Sequence, residues 1–383
     1  MTTIFPAIET APKIIEVLLL GGPVAIGVSG GKDSDVATGE TLAYLERVGH
    51  TGPRILIHSD LGRIEWKDSL PACERLARRY GLELVVVRRQ AGDLLDRWLT
   101  RWHNNCERYI HLHCVKVILP WSTARMRFCT SELKTAIICR ELVTRFPHEV
   151  ILSVSGLRRQ ESPTRALAPV YAAQAKLTSV TSHTSGYDWH PILAWTLEDV
   201  LAYHRAHNLP LHEAYTRYGT SRVSCTFCIL SSLHDLVHSA TCPDNHDIYR
   251  ELVELEIAST FRFQESRWLG DIAPHLLSED MQRRLKDSQR RAALREAAEA
   301  RIPTHLLYSK GWPQVMPTEA EARLLSSVRR HVADIMDLPV LYTEPHAILD
   351  RYAELMALNA LRGKAPSVVS PIQQELWPME VSL

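Results

Sequence analysis

Apolar positions in the first 154 residues fall into short runs separated by longer stretches of mixed polarity. Residues 23–29 (PVAIGVS), 54–59 (RILIHS), 82–87 (LELVVV) and 149–154 (EVILSV) are rich in Val, Ile and Leu, the pattern of strands buried on both faces. Helix-compatible stretches, residues 34–48 and 66–80, lie between the first three. Strands alternating with helices predict a doubly wound α/β fold with a mainly parallel sheet, whose ligands sit beyond the carboxyl ends of the strands. Residues 166–187, rich in Ala, Ser and Thr, read as a mobile loop. From Trp195 the pattern turns helical, interrupted by a cysteine-bearing segment at residues 224–242. After Asp271 it stays helical, with a proline-punctuated joint at residues 303–317. The expected organisation is a sheet domain over 1–210, a Cys-containing helical segment over 211–270, and a helical C-terminal region over 271–383.

Composition narrows the classes. A hydrophobic content of 45% over 383 residues supports a real core. No apolar run reaches the ~18 residues that a membrane span needs, and the segment MTTIFPAIETAPK lacks the features of a signal peptide. The expected location is the cytoplasm, with no membrane association. A net charge of zero argues against a globally basic nucleic-acid binder. Local clusters such as Arg283, Arg284, Arg290 and Arg291 read as solvated helix faces. Among eight cysteines, only Cys225 and Cys228 form a C-x-x-C pair. In a cytosolic chain that spacing points to metal or catalysis rather than to a disulfide scaffold.

The first strand runs into Ser29, Gly30, Gly31, Lys32, Asp33 and Ser34 and then into a helix. The glycines let the backbone approach a ligand closely, and the helix N-terminus favours an anion. Ser29 and Ser34 offer hydroxyls and Lys32 a point charge. Asp33 beside a phosphate calls for a bridging cation, which suggests Mg²⁺. The spacing is not that of a Walker A loop. SGGKDS at a strand-to-helix junction resembles the PP-loop of the N-type ATP pyrophosphatases, of the adenine nucleotide alpha hydrolase-like fold. That resemblance implies ATP cleaved between its α- and β-phosphates, with the loop holding the leaving pyrophosphate.

Three further motifs extend the resemblance to the phosphoadenosine phosphosulfate reductase family. HSDLGRIEW after the second strand puts Asp60, Gly62 and Glu65 at positions expected near the adenosine. Residues 127–134 (RFCTSELK) are similar to the family's RxCTxxLK segment and contribute Lys134. SGLRRQESPTR, after the fourth strand, carries Gly156, Arg158, Arg159, Glu161, Ser162 and Arg165. The resemblance implies ATP contacts from Gly156 and Arg158, catalytic roles for Lys32, Asp33, Arg158 and Arg159, and substrate-phosphate contacts from Lys134, Glu161 and Arg165. W-x-P-I-x-x-W at residues 189–195, with the TLEDVLAYHRAHNLPLHEAY that follows, resembles the family's helical element after the sheet.

Departures shape the functional expectation. Assimilatory reductases of this family end in a catalytic cysteine, and no cysteine follows Cys242 here. Cluster-binding versions carry a CC pair where this chain has Cys129–Thr130. The chain is more similar to the longer members associated with DNA phosphorothioation, of the DndC and SspD type. They imply an ATP pyrophosphatase that activates a phosphate for sulfur insertion, with DNA, a cysteine desulfurase as sulfur donor and other modification subunits as partners. The alternatives are a sulfonucleotide reductase, a small-molecule sulfurtransferase, or a regulatory subunit that grips ATP without turnover. Cys225, Cys228, Cys242 and Cys129 form a candidate [4Fe–4S] ligand set. His234, His238 and His246 offer a zinc alternative, and a metal-free dithiol is the third. On this reading Lys32→Ala and Asp33→Ala each abolish pyrophosphate release and leave the fold intact.

Overall fold

The computed structural model describes residues 5–362. Six strands, β1 (Val24–Gly27), β2 (Arg54–Asp60), β3 (Glu83–Arg88), β4 (Val150–Val154), β5 (Tyr171–Ala173) and β6 (Ser185–Trp189), form one sheet in the order β3-β2-β1-β4-β6-β5. Every neighbouring pair is parallel except β5 with β6.

Side chains alternate across the central strands, as pleated geometry requires. Val24 and Ile26 of β1, Leu56 of β2 and Leu152 and Val154 of β4 join one buried apolar cluster. Helices α1 (Pro12–Leu19), α2 (Lys32–Arg47) and α3 (Ser69–Tyr80) complete that cluster with Ile14, Val17, Val36, Leu45, Cys73 and Leu76. Ala25, Ile55, Ile57 and Ile151 point to the reverse face and pack with Cys139 and Leu142 of the helix Ala136–Arg145. Both faces are covered, which is why these strands read as near-continuous apolar runs.

The four expected strands are present, and the fold is the doubly wound, mainly parallel sheet with a helical C-terminal region. The stretch read as a mobile loop differs. It contains β5 and the beginning of β6, and β6 pairs with the whole of β4, from Val150–Ser185 to Val154–Trp189. Its signature was weak because the two positions of β6 that bury fully are Gly186 and Trp189. A glycine contributes no apolar side chain to a pattern.

By Cα packing the chain divides into two compact units, Met1–Thr100 with Pro120–Lys286, and Arg101–Leu119 with Asp287–Leu383. The cysteine segment falls in the first. In the second, the helix Glu319–Met336 starts with a Thr318–Glu321 capping box. Its buried Arg329 donates to the carbonyls of Tyr109, Ile110, Tyr342 and Leu341. Residues 101–119 thus belong with the C-terminal helices, where Tyr308 and Arg351 also donate to the carbonyls of Leu112 and His111. Among the described residues no helix is long and apolar enough to cross a membrane.

Candidate functional site

Strand order reverses between β2 and β4 on either side of β1, so the loops leaving β1 and β4 face each other across a crevice at the carboxyl edge of the sheet. The β1 loop needs Gly30, whose φ is +72° and where a Cβ would lie 3.0 Å from the Ser69 carbonyl oxygen. Gly31 caps α2 with extended backbone and no side-chain cap, so the first N–H groups of the helix are left for a ligand. The β4 loop crosses so close that a Cβ on Gly156 would stand 2.5 Å from the Asp33 carbonyl oxygen.

An ion pair joins the two loops. Arg158 Nε donates to Asp33 Oδ1 at 2.6 Å, and the arginine is only 4% exposed. Its Nη1 reaches Gln160 Oε1 at 3.1 Å. Glu161 Oε2 accepts from the Arg158 N–H at 2.9 Å and pairs with Arg165, while Ser162 Oγ accepts from the Arg165 N–H at 3.2 Å. The β4 loop is therefore fixed by its own side chains. Ser34 Oγ donates to the Gly31 carbonyl at 2.7 Å and so tightens the turn. Lys32 is buried beside Asp33, 3.7 Å away, and desolvation holds its pKa below the usual lysine value.

These loops form one wall of a cavity of about 660 Å³. Ser29, Gly31, Asp33, Ser34 and Gly156 line it on one side, with Glu161 and Arg165 beside them. Opposite stand Arg127, Cys129 and Lys134, carried by the turn Phe128–Thr130 and the π-helical turn Ser131–Thr135. Wide turns of this kind recur at functional sites, and Ser59 Oγ at the end of β2 secures this one by donating to the Leu133 carbonyl at 2.5 Å. The segment with Tyr215, Arg222, Cys225 and Cys228 closes the cavity. Among the described residues Arg127, Lys134 and Arg222 have no carboxylate partner, so this wall carries uncompensated positive charge suited to an oxyanion. Burial pushes the Cys225 thiol up, and the neighbouring Cys228 adds to it while Lys134 opposes.

Residues 23–231, more than half of the 383, match the phosphoadenosine phosphosulfate reductase domain. The chain belongs to that family. Two curated relatives are similar to it. One is an uncharacterized 37.8 kDa protein in the gpa 5′ region of Escherichia phage 186, 30% identical over 200 residues, 50% of this chain and 55% of the relative. The other is an adenosine 5′-phosphosulfate reductase of Shouchella clausii, 31% identical over 100 residues, 26% of this chain and 36% of the relative. The chain thus spans about half the length, or less, of the curated relatives it matches. Solved structures with similarity to it include the FMN adenylyltransferase of Candida glabrata in complex with FAD and inorganic pyrophosphate, at 18% identity and a TM-score of 0.35, covering 54% of this chain and 55% of that one. The U34-tRNA thiolase NcsA of Methanococcus maripaludis, with its [4Fe–4S] cluster, is similar at 17% identity and a TM-score of 0.35, covering 70% of this chain and 73% of that one.

Other predicted site residues of this phosphoadenosine phosphosulfate reductase family member lie apart from the cavity. Arg159 turns away and pairs with Glu9 at 2.9 Å. Asp60 and Gly62 line a second cavity with Glu65, Lys67 and Asp247, where Asp60 pairs with Arg88 and accepts from the Gly62 N–H at 2.7 Å. Glu65 pairs with the buried His58 at 3.2 Å. Cys242 is buried at 1% exposure in a separate apolar cluster with Trp66, Ala214 and Tyr218. A four-thiolate site of Cys129, Cys225, Cys228 and Cys242 therefore does not fit this arrangement. Among the described residues no group of His, Cys, Asp and Glu is arranged to hold a metal ion. The zinc alternative fares no better, since His234, His238 and His246 face the carbonyls of Gly219, Tyr218 and Ala240. Arg127, Tyr215 and Arg222 escaped the sequence reading as site residues; Arg127 opens the RFCTSELK segment, Tyr215 ends the helical element after the sheet, and Arg222 stands three residues before Cys225.

Asp35, in the first turn of α2, is buried, and its carboxyl is pushed up to about 7, chiefly by burial and further by Asp33, with Arg75 opposing. An acid whose folded pKa exceeds its unfolded value stabilises the fold at low pH and loses that contribution as pH rises through the interval between them. Asp35→Asn is therefore expected to raise stability by on the order of 2 kcal/mol at pH 8 and to change little at pH 4. Thermal melts of both proteins at the two pH values check this, and an equal effect at both would contradict it.

Proposed function

We propose that the chain is an ATP pyrophosphatase that activates an oxyanion for sulfur transfer, with a phosphate of the DNA backbone as the acceptor. The observation that carries this reading is one cavity in which the SGGKDS loop, three cations without carboxylate partners among the described residues and cysteine thiols meet. ATP enters as its magnesium complex. The N–H groups at the start of α2 and Lys32 take the β- and γ-phosphates, and Asp33 is the loop carboxylate available to the metal. Arg158 holds Asp33 in place and limits its repulsion of the phosphates.

Arg127, Lys134 and Arg222 hold the acceptor phosphate. An oxygen of that phosphate attacks the α-phosphorus and pyrophosphate leaves. The acceptor then carries AMP, a far better leaving group than oxide, and a sulfur nucleophile displaces it at the acceptor phosphorus. Electrostatic stabilisation by preorganised cations is the main contribution of such a site. Sulfur supply by a cysteine desulfurase and the participation of other modification subunits belong to the same proposal, as does a cytoplasmic location.

A second reading, a sulfonucleotide reductase, is favoured by the 100-residue match to the Shouchella clausii adenosine 5′-phosphosulfate reductase. The two separate experimentally. Duplex DNA is expected to stimulate ATP cleavage by the purified chain, with no sulfite released from adenosine 5′-phosphosulfate in the presence of thioredoxin. Thioredoxin-dependent sulfite release together with DNA-indifferent ATP cleavage would overturn the proposal in favour of the reductase.

A further inference from the structure

Tyr215, in the helical turn Glu213–Thr216, stands between the β1 loop and the cysteines. Its ring centroid is 4.7 Å from the Lys32 ammonium, and its Oη lies 3.5 Å from Lys32 Nζ. The same Oη accepts from the N–H of Val223 at 3.0 Å, two residues before Cys225. Lys32 Nζ also donates to the Ser221 carbonyl at 3.2 Å. Ser221 in turn is anchored to Asp235, through its N–H at 2.7 Å and its hydroxyl at 3.0 Å. An ammonium has three donors and no more. Those of Lys32 face the Ser221 carbonyl, the Tyr215 hydroxyl and the Asp33 carboxylate. A phosphate oxygen that draws this buried cation toward the loop pulls it away from the Ser221 carbonyl, its nearest acceptor at 3.2 Å.

We infer that Tyr215 is a positioning residue through which Lys32 couples nucleotide binding to the order of the cysteine segment, residues 221–230. The inference rests on the nucleotide reading of the loop. An anion that draws Lys32 toward the loop takes a donor from Ser221 and loosens the backbone that presents Cys225 and Cys228 to the cavity. Coupling of this kind is reciprocal: a partner that holds the segment in its loosened form strengthens nucleotide binding by the same factor. The sulfur-handling end of the cavity thus loosens when ATP is seated at the other.

The test is hydrogen exchange of the full chain with and without α,β-methylene-ATP, whose binding is measured separately by calorimetry. Saturation is expected to speed exchange of the amides in residues 222–230 about five-fold, the effect of losing one hydrogen bond. Tyr215→Phe, which frees the Val223 N–H, is expected to bind the analogue and to show fast exchange with or without it. If that variant does not fold, Lys32→Met serves, with the segment fast in both conditions. Binding of the analogue to the wild type with unchanged or slower exchange in 222–230 overturns the coupling and leaves the proposed function standing. Failure of the analogue to bind at all removes the nucleotide reading and the coupling with it.

Discussion

Asp33→Ala is expected to abolish pyrophosphate release and also to lower the melting temperature, whereas Lys32→Ala does only the first. Arg158 is 4% exposed and its Nε bonds Asp33 Oδ1 at 2.6 Å. Removing the carboxylate strands a buried guanidinium, which costs about 3 kcal/mol or more. For a unit of this size that corresponds to roughly 6–12 °C in Tm. Lys32 has the opposite economy. Burial already holds its pKa down, so its removal relieves a desolvated charge, and the stability change stays within about 1 kcal/mol. The catalytic loss at Lys32 is expected to be about 100-fold or more, the effect of removing one preorganised charge from a developing anion. Activity and calorimetric scans on the two variants check the contrast, and equal Tm values for both would contradict the role given to Arg158. The sequence alone suggested that both changes leave the fold intact; the Asp33–Arg158 pair, between residues 125 positions apart, is what separates them.

Gly156→Ala is expected to be nearly as severe. Its new methyl group would meet the Asp33 carbonyl oxygen at 2.5 Å, the Asp33 carbonyl carbon at 2.7 Å and the Ser34 nitrogen at 3.0 Å. All are backbone atoms, so no side chain can swing aside. Either the β4 loop retreats or the SGGKDS loop does, at about 1–3 kcal/mol. In both cases the N–H groups of Gly31 and Lys32 lose their aim. Pyrophosphate release is expected to fall at least about 100-fold, since misplacement by about 1 Å costs that much. Near wild-type release from a folded Gly156→Ala protein would show that the crevice tolerates separation of its loops.

The legible part of this site was the part encoded in contiguous residues. SGGKDS announces a tight turn because its glycine, lysine and hydroxyl chemistry are all local, and a strand-to-helix junction fixes where the turn points. Lys134 and Arg165, each expected from a short contiguous motif, line the same cavity. Long-range packing was not readable. Cys242 looks like a ligand by proximity to Cys225 and Cys228, yet the helix Leu233–Ala240 carries the chain away and seats it against Trp66 and Tyr218. Arg159 is adjacent to Arg158 in sequence, but Arg158 is extended while Arg159 opens the 3₁₀ turn Arg159–Glu161, and Glu9 captures it. Tyr215 reads as an ordinary core aromatic until its neighbour across the fold proves to be the loop lysine. Arg329 stands in the Arg-rich helical region and is fully buried on backbone carbonyls. Only tertiary structure supplies such acceptors.

The most direct test of the central claim is product analysis of ATP labelled at the α-phosphate, incubated with the protein and Mg²⁺, with and without duplex DNA. The cavity, with its SGGKDS loop and cationic wall, predicts labelled AMP and equimolar pyrophosphate, formed faster when DNA is present. Labelled ADP with orthophosphate would contradict the account, because cleavage would then fall between the β- and γ-phosphates, which the loop is proposed to hold together as the leaving pyrophosphate.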